Sequence, residues 1–392
     1  MPFYNDLRPD SDYEHRDFAQ VFPNMSTLEK LRAIDGVLAL KAGNGAIEPR
    51  RCEENLLVAS WNIKELGHTT QRLPESFFYL AELISRFDLV AVQEVKSHLD
   101  DLDRIMRILG SSWDYLVNDI TDGDDGNSER SAFLFNTDRV RLGGLAGELV
   151  PWQELLDSPA ISAAVDGRID RLKRTPYITG FKSGWKKFAM VTLHLEPGNN
   201  DDSAQKRQDE ITLLLAMLDH KFEHDRLWNQ NIIITGDFNF YDGPGTASWR
   251  QIDRDTIAMI DAAGYNELPA LQGIDTNASQ TEAYDRFFIR RGPYFMPNSD
   301  DPVAAGVLNP FDHVFTEGNV GAYVDEMKDD YTGSSLDLDD PADQLSYLLN
   351  PWRKNQLSDH FPIWFEMSTD SSAAFLGSRV SGLETQLAAE GG

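Results

Sequence analysis

The stretch 231–242, NIIITGDFNFYD, constrains the fold more than any other. Ile232, Ile233 and Ile234 form a short apolar run that stops at Gly236, Asp237, Phe238 and Asn239, which reads as a buried strand with an abrupt exit. Side chains alternate along extended backbone, so Asp237 and Asn239 should point the same way, and Gly236 permits the tight exit that presents them. A carboxylate and an amide oxygen at a strand's end suit a hard divalent cation or a water attacking phosphorus. They suit an Asx turn closing a strand equally well, and the stretch alone leaves both readings open. The pattern recurs. Leu56, Leu57, Val58 and Ala59 lead into Trp61, Asn62, Ile63 and Lys64; the run 89–92 closes on Gln93 and Glu94; the run 188–195 ends in Thr192, Leu193 and His194.

The 392 residues suffice for one large domain or two ordinary ones, and a chain that is 41% hydrophobic and 10% aromatic can fill a full core. Residues 1–21 are charged and lack the apolar centre of a signal peptide, and no later run approaches a membrane span. The expectation is a cytoplasmic protein. The single cysteine, Cys52, excludes an intrachain disulfide and a thiolate metal cluster. With 36 Lys and Arg against 64 Asp and Glu, the net charge of -28 is an awkward balance for binding a polyanion. Contact with phosphates would need a local basic patch or a bound metal. Residues 168–187 supply such a patch: Arg168, Arg171, Lys173, Arg174, Lys182, Lys186 and Lys187 against one acid, Asp170. A charge run of this kind is usually a solvated face.

In chain order, residues 1–50 read as an extension with one helix, capped by Ser26 and Glu29 ahead of Leu31, Ile34, Val37 and Leu38, and ended by the breakers Gly43, Asn44, Gly45 and Pro49. Helices are expected over 74–86, 99–109, 203–220 and 256–263, and strands over 115–117, 132–135, 177–181, 188–195 and 283–290. The loop 119–128 is acidic and rich in glycine, without the glutamate spacing of an EF-hand. Residues 298–356 look like an irregular insertion in which FDHVF (311–315) could form a short strand; a last strand follows at 363–365, and 371–392 ends the chain as a peripheral helix and tail. The domain organisation expected is therefore an extension over 1–50, a main domain over 51–370 and a tail over 371–392.

The ordered set WNIKELG (61–67), VQEVK (92–96), SERSAFLF (128–135), RTPYITGF (174–181), TLHLEP (192–197), GDFN (236–239), AYDRFF (283–288) and SDHFP (358–362) resembles the endonuclease/exonuclease/phosphatase superfamily, and within it the DNase I-like branch. The resemblance runs over about residues 54–368, and its specificity lies in the order of the motifs. It implies an α/β fold, a two-sheet β-sandwich flanked by helices on both outer faces, with a phosphodiester cleft where the strands end. It implies Asn62 and Glu94 as main ligands of Mg²⁺, with Mn²⁺ or Ca²⁺ as other candidates, and Asp237, Asn239 and Asp359 as second-metal, phosphate or water-positioning groups. His360 would pair with Asp285 and His194 with Glu129. A carboxylate fixes the tautomer of an imidazole and raises its basicity, so one ring can take a proton from water while the other stabilises the oxyanion. Arg174 matches a phosphate-contacting arginine, and Lys64, Lys96 and Arg130 match positions that touch the nucleic-acid backbone or groove. The remaining histidines His68, His98, His220 and His224 read as surface or helix-end residues.

The chain also departs from that branch. Asn127 stands where the branch has a tyrosine that packs on a deoxyribose, and disulfides are absent. Asp312, in the DHVF pattern, rivals Asp285 as the partner of His360; Asp285 is favoured because AYDRFF follows TNASQTE. The function expected is metal-dependent hydrolysis of DNA, with DNA the expected partner and endonucleolytic cleavage the expected mode. The alternatives are a phosphatase or phospholipase of the same fold acting on inositol phosphates or lipid headgroups, and a catalytically inactive scaffold.

Overall fold

In the computed structural model, which describes residues 2–8, 20–43, 51–67, 72–120, 128–223, 229–295 and 304–390, the apolar runs become the inner strands of two facing sheets. Asn127, His68, His224, the breakers 44–50, most of the acidic loop and the start of the insertion lie outside the described residues. The strands are β1 (Asn55–Leu66), β2 (Leu89–Lys96), β3 (Trp113–Val117), β4 (Glu129–Asn136), β5 (Arg141–Glu148), β6 (Tyr177–Ser183), β7 (Lys186–His194), β8 (Ile232–Asp237), β9 (Asn266–Glu267), β10 (Asp285–Arg290), β11 (Ala305–Val307) and β12 (Ile363–Ser368). One sheet has the order β11-β12-β1-β2-β4-β3, the other β5-β6-β7-β8-β10-β9.

Both faces of each sheet are covered, which is why the strands read as unbroken apolar runs. Between the sheets, Leu56 and Val58 of β1 meet Phe133, Phe181, Phe188, Ile233 and Phe287. On the outer face of the first sheet, Leu57, Ala59 and Trp61 pack under α1 (Thr27–Gly43), α2 (Pro74–Ile84) and α3 (Asp100–Leu109). Two short helices, α4 (Gln153–Leu156) and α5 (Pro159–Val165), precede α6 (Asp201–Glu223) and α7 (Ser248–Ala262), which cover the second sheet through Leu214, Leu218 and Ile260. No helix among the described residues is long and apolar enough to cross a membrane.

In each sheet the two central strands are parallel: β1 with β2, joined through α2, and β7 with β8, joined through α6. Their carboxyl ends therefore finish at one rim of the sandwich. The antiparallel neighbours β4, β10 and β12 begin there, since Glu129 pairs with Lys96 and Asp285 with Asp237. Eight short polar segments meet at this rim for a topological reason.

Three expectations change. Residues 310–312 form a 3-10 turn, because Pro310 fixes φ and removes a ladder donor while Asn309 caps Phe311; FDHVF is no strand. The region after 304 is not irregular but a train of short helices, α8 (Val324–Asp330), α9 (Pro341–Tyr347) and α10 (Arg353–Gln356). In α1 the face turned to the core is Arg32, Ala33, Val37 and Leu40, while Leu31, Ile34 and Leu38 are exposed. Glycines select that face: a Cβ on Gly36 would fall 2.3 Å from the Tyr79 ring, and one on Gly43 2.0 Å from the His313 ring. The buried Arg32 is matched by Glu75 at 2.9 Å and Glu326 at 2.7 Å. The chain closes on α11 (Ser372–Glu390).

Candidate active site

The rim owes its shape to backbone that the strand pattern alone does not prescribe. The β1–β2 register shifts between Asn62 and Leu66, and the β2–β4 register between Val92 and Val95. Glu65, Glu94 and Asn239 take positive φ, at 44°, 60° and 52°. Such bulges re-aim side chains, and left-handed conformations of this kind at non-glycine residues concentrate at functional sites. Gly236, at φ 135°, lies so close to β7 that a Cβ would meet the Leu193 carbonyl oxygen at 2.0 Å. It is needed for that approach as much as for the exit of the strand.

Asp237 is the centre. Its Oδ2 accepts from Asn62 Nδ2 at 3.1 Å and faces His194 Nε2 at 3.4 Å and His360 Nε2 at 3.7 Å. Its Oδ1 accepts from the Asn239 N–H at 3.0 Å. Burial alone would raise the pKa of Asp237, but His360, His194 and the two asparagines hold it below the ordinary value. Each histidine is backed by a second carboxylate. His360 Nδ1 lies 2.8 Å from Asp285 Oδ2, and His194 Nδ1 lies 3.1 Å from Glu129 Oε2, the latter off the line of a good hydrogen bond. Burial opposes protonation of His360, yet Asp285 and Asp237 outweigh it and raise its pKa well above the ordinary value. Asp312 takes no part, since its carboxylate accepts from Asn309 Nδ2 at 2.8 Å.

Glu129 also gathers cations. Burial opposes its ionisation, but His194, Arg174 and Lys96 together hold its pKa far below the carboxylate range. Arg174 Nε donates to it at 2.9 Å and Lys96 Nζ at 3.2 Å. Lys96 is therefore buried against an acid, whereas Lys64 and Arg130 stand nearer the surface. Lys64 Nζ lies 3.6 Å from Asp359 Oδ2, and Arg130 donates to the Asn118 carbonyl at 2.9 Å. The Asp359 side chain is 40% exposed, with Lys64 its one ion-pair partner among the described residues, so it stands at the open edge of the site next to His360. The basic run divides. Arg168 to Arg174 lies towards the rim, with Arg168 paired to Asp209 and Lys173 to Glu196, while Lys182, Lys186 and Lys187 flank the β6–β7 hairpin, about 20 Å away along the strands.

Three oxygen-bearing side chains, Asn62, Glu94 and Asp237, suit a divalent cation. Among the described residues no cluster of three or more His, Cys, Asp or Glu is built as a metal cage. The set here includes an amide instead. Asn62 Nδ2 bridges Glu94 Oε1 at 2.9 Å and Asp237, and its buried Oδ1 has no partner. Oxygen and nitrogen of an amide exchange places by a half-turn; turned over, the Asn62 oxygen faces both carboxylates, a donor set that fits a hard cation.

Other supports escaped the sequence pattern. Thr276 Oγ1 donates to Asp285 Oδ2 at 2.7 Å, within the TNASQTE segment whose presence was its one signal. Ser358 Oγ donates to the Asn62 carbonyl at 2.6 Å and accepts from the His360 N–H at 3.0 Å, tying β1 to the SDHFP segment. Gln93 Nε2 joins the sheets by donating to Ser60 Oγ at 3.2 Å and Thr192 Oγ1 at 2.8 Å. Glu210 of α6 accepts from the Lys173 N–H at 2.7 Å and the Glu196 N–H at 2.9 Å, bracketing Arg174 and His194; burial pushes its pKa up to about 7 although both bonds pull it down. The Tyr284 ring lies 5.8 Å from His360 and 5.1 Å from Tyr241.

Comparison with known proteins bears on this arrangement. Dog deoxyribonuclease-1 is 28% identical over 195 residues, 47% of this chain and 60% of that protein. Bovine deoxyribonuclease-1 is 26% identical over 246 residues, 60% of this chain and 77% of that protein. Among solved structures, a humanized TDP2 of D. rerio carrying 14 mutations is 13% identical, covers 80% of this chain and 99% of that chain, and has a TM-score of 0.46. The model of the endonuclease/exonuclease/phosphatase family matches residues 59–360, from the strand that carries Asn62 to the histidine facing Asp237. The chain belongs to the endonuclease/exonuclease/phosphatase family.

Proposed function

We propose that this protein is a divalent-metal-dependent phosphodiesterase that hydrolyses DNA as an endonuclease. Members of the family are hydrolases acting on phosphodiester bonds and generally use divalent metals. The observation that carries the reading is the convergence of His194 and His360 on Asp237 Oδ2, each ring backed by its own carboxylate. A site of this kind moves protons on both sides of a reacting group. The likeness to deoxyribonuclease-1 supports DNA as the substrate.

Asn62, Glu94 and Asp237 would hold the metal, with Asn239 beside them and Asp359 at the mouth. When bound, the cation neutralises charge on the phosphoryl oxygens. The chain's own residues do the rest. His194, turned by Glu129, takes the proton of the attacking water. His360, kept protonated by Asp285 and Asp237, stabilises the charge that develops as water adds in line to phosphorus and the P–O ester bond opposite it breaks, the departing sugar oxygen taking a proton from solvent. Arg174, aimed by Glu129, contacts the phosphodiester, Lys64 and Arg130 line the approach, and Lys96 holds Glu129 from beneath.

Asp237→Ala and His360→Ala should each abolish plasmid cleavage in Mg²⁺ while the circular dichroism spectrum stays that of the parent. Full activity in both variants would remove these roles. A panel of plasmid, single-stranded DNA, RNA and inositol phosphates, with Mg²⁺, Mn²⁺ and Ca²⁺ varied, tests the substrate; preferential turnover of inositol phosphates would replace the DNA reading with a phosphatase.

A further inference from the structure

Helix α11 has no buried residue along its 19 positions. It leaves the body after β12, whose Ser368 pairs with Asn55 at the beginning of β1, the end of the sheet opposite Asn62 and His360. Among the described residues its foot alone is fixed: the Phe375 ring lies 5.9 Å from both Trp185 and Tyr294. Beyond it Leu376, Val380, Leu383 and Leu387 are 52–70% exposed. A lone helix of this length containing Gly377 and Gly382 is marginal in water, so its stability calls for a partner on that stripe.

We propose that α11 pairs with α11 of a second copy of this chain in a parallel two-stranded coiled coil. Ala373, Leu376, Val380, Leu383 and Leu387 are spaced alternately three and four apart, the repeat of a heptad seam with Ala373, Val380 and Leu387 at a and Leu376 and Leu383 at d. A β-branched residue at a between leucines at d favours two strands. Charge sets the orientation. Arg379 falls at g and Glu384 at the e position of the next heptad, so a parallel partner brings opposite charges together twice. The helix has one cation against Glu384 and Glu390 in a chain of net charge -28, which disfavours an anionic lipid surface as the occupant. Attachment at the far end leaves the rim of each copy open.

Sedimentation velocity of the full chain over a concentration series tests this. The parent should pass from monomer to dimer, and Leu383→Glu, on an exposed position, should stay monomeric. Arg379→Glu should weaken the dimer roughly tenfold by turning two attractions into repulsions, and Arg379→Glu combined with Glu384→Arg should restore it. A parent that is monomeric throughout, a Leu383→Glu variant that dimerises like the parent, or a double exchange that restores nothing would overturn the proposal. So would co-sedimentation of the parent with anionic phospholipid vesicles that Leu383→Glu abolishes.

Discussion

Replacing Asp285 with Asn keeps the shape of the His360 partner and removes its charge. The pair is shut away from water, with the His360 side chain 11% exposed and that of Asp285 0%, so nothing outside can substitute for the lost anion. Removing one member of a buried pair costs about 3–5 kcal/mol, and at about 1.4 kcal/mol per decade this is a fall of roughly 10²–10⁴ in kcat/KM if His360 must be an imidazolium in the transition state. Asp237 still faces the ring at 3.7 Å, which places the expected loss below the top of that range. The pH dependence carries a sign. Asp285 raises the pKa of His360, so Asp285→Asn lowers it, and the alkaline fall in activity should move to lower pH. In stability, the raised pKa contributes fully below the unfolded value of about 6.5 and is lost as pH rises through the folded value; the stability gap between parent and variant should narrow along that course. The assay is plasmid nicking in Mg²⁺ across pH, with urea melts of both proteins and Asp312→Asn as the comparison. Asp285→Asn within twofold of the parent, or Asp312→Asn equally impaired, would refute the pairing as a catalytic device.

Gly236→Ala should destabilise the fold by about 2–5 kcal/mol in urea melts, because the new methyl carbon would sit 2.0 Å from the Leu193 carbonyl at a positive φ and must push β7 from β8; a midpoint equal to the parent's would show that the strands yield. Glu210, with its pKa raised to about 7 by burial, keeps its proton in the folded state while the unfolded chain releases it from about pH 4.5 upward. This residue should therefore lower stability by as much as roughly 3 kcal/mol as pH rises from 4.5 to 7, and Glu210→Gln should flatten that slope; equal slopes in both proteins would sink the assignment.

Much of the rim was legible in the sequence because its signal is local. An apolar run that ends in a polar side chain needs only a period of two and a stop, and Asn62, His194 and Asp237 all stand at such ends. Pairing of His360 with Asp285 spans 75 positions and came from motif order, not from any short-range pattern. What stayed hidden depends on tertiary geometry. Glu94 belongs to a residue type that gives no hint of left-handed backbone, whereas Asn239 does. The seven-cation run of 168–187 looked continuous because a hairpin separates its halves only in space. The α1 stripe misled because Gly36 and Gly43 bring the opposite face to Tyr79 and His313, and Glu75 and Glu326 make a buried Arg32 tolerable. Strand β5 was missed outright: Gly143, Gly144 and Gly147 weaken its pattern, and as an edge strand it is largely exposed.

Ownership of the rim is divided. Asn62 and Glu94 ride on one sheet, with His360 just ahead of β12 in that same sheet; His194, Asp237 and Asp285 ride on the other. No single layer of the protein holds a complete set. The gap across which His360 looks at Asp237 is consequently the thickness of the interior, set by Phe133, Phe181, Phe188 and Phe287 and pinned by Gln93 just beneath the rim. Side chains remote from any reacting atom thus act as the spacer that gauges the opening, and thinning that filling narrows or skews the jaws without touching a residue inside them.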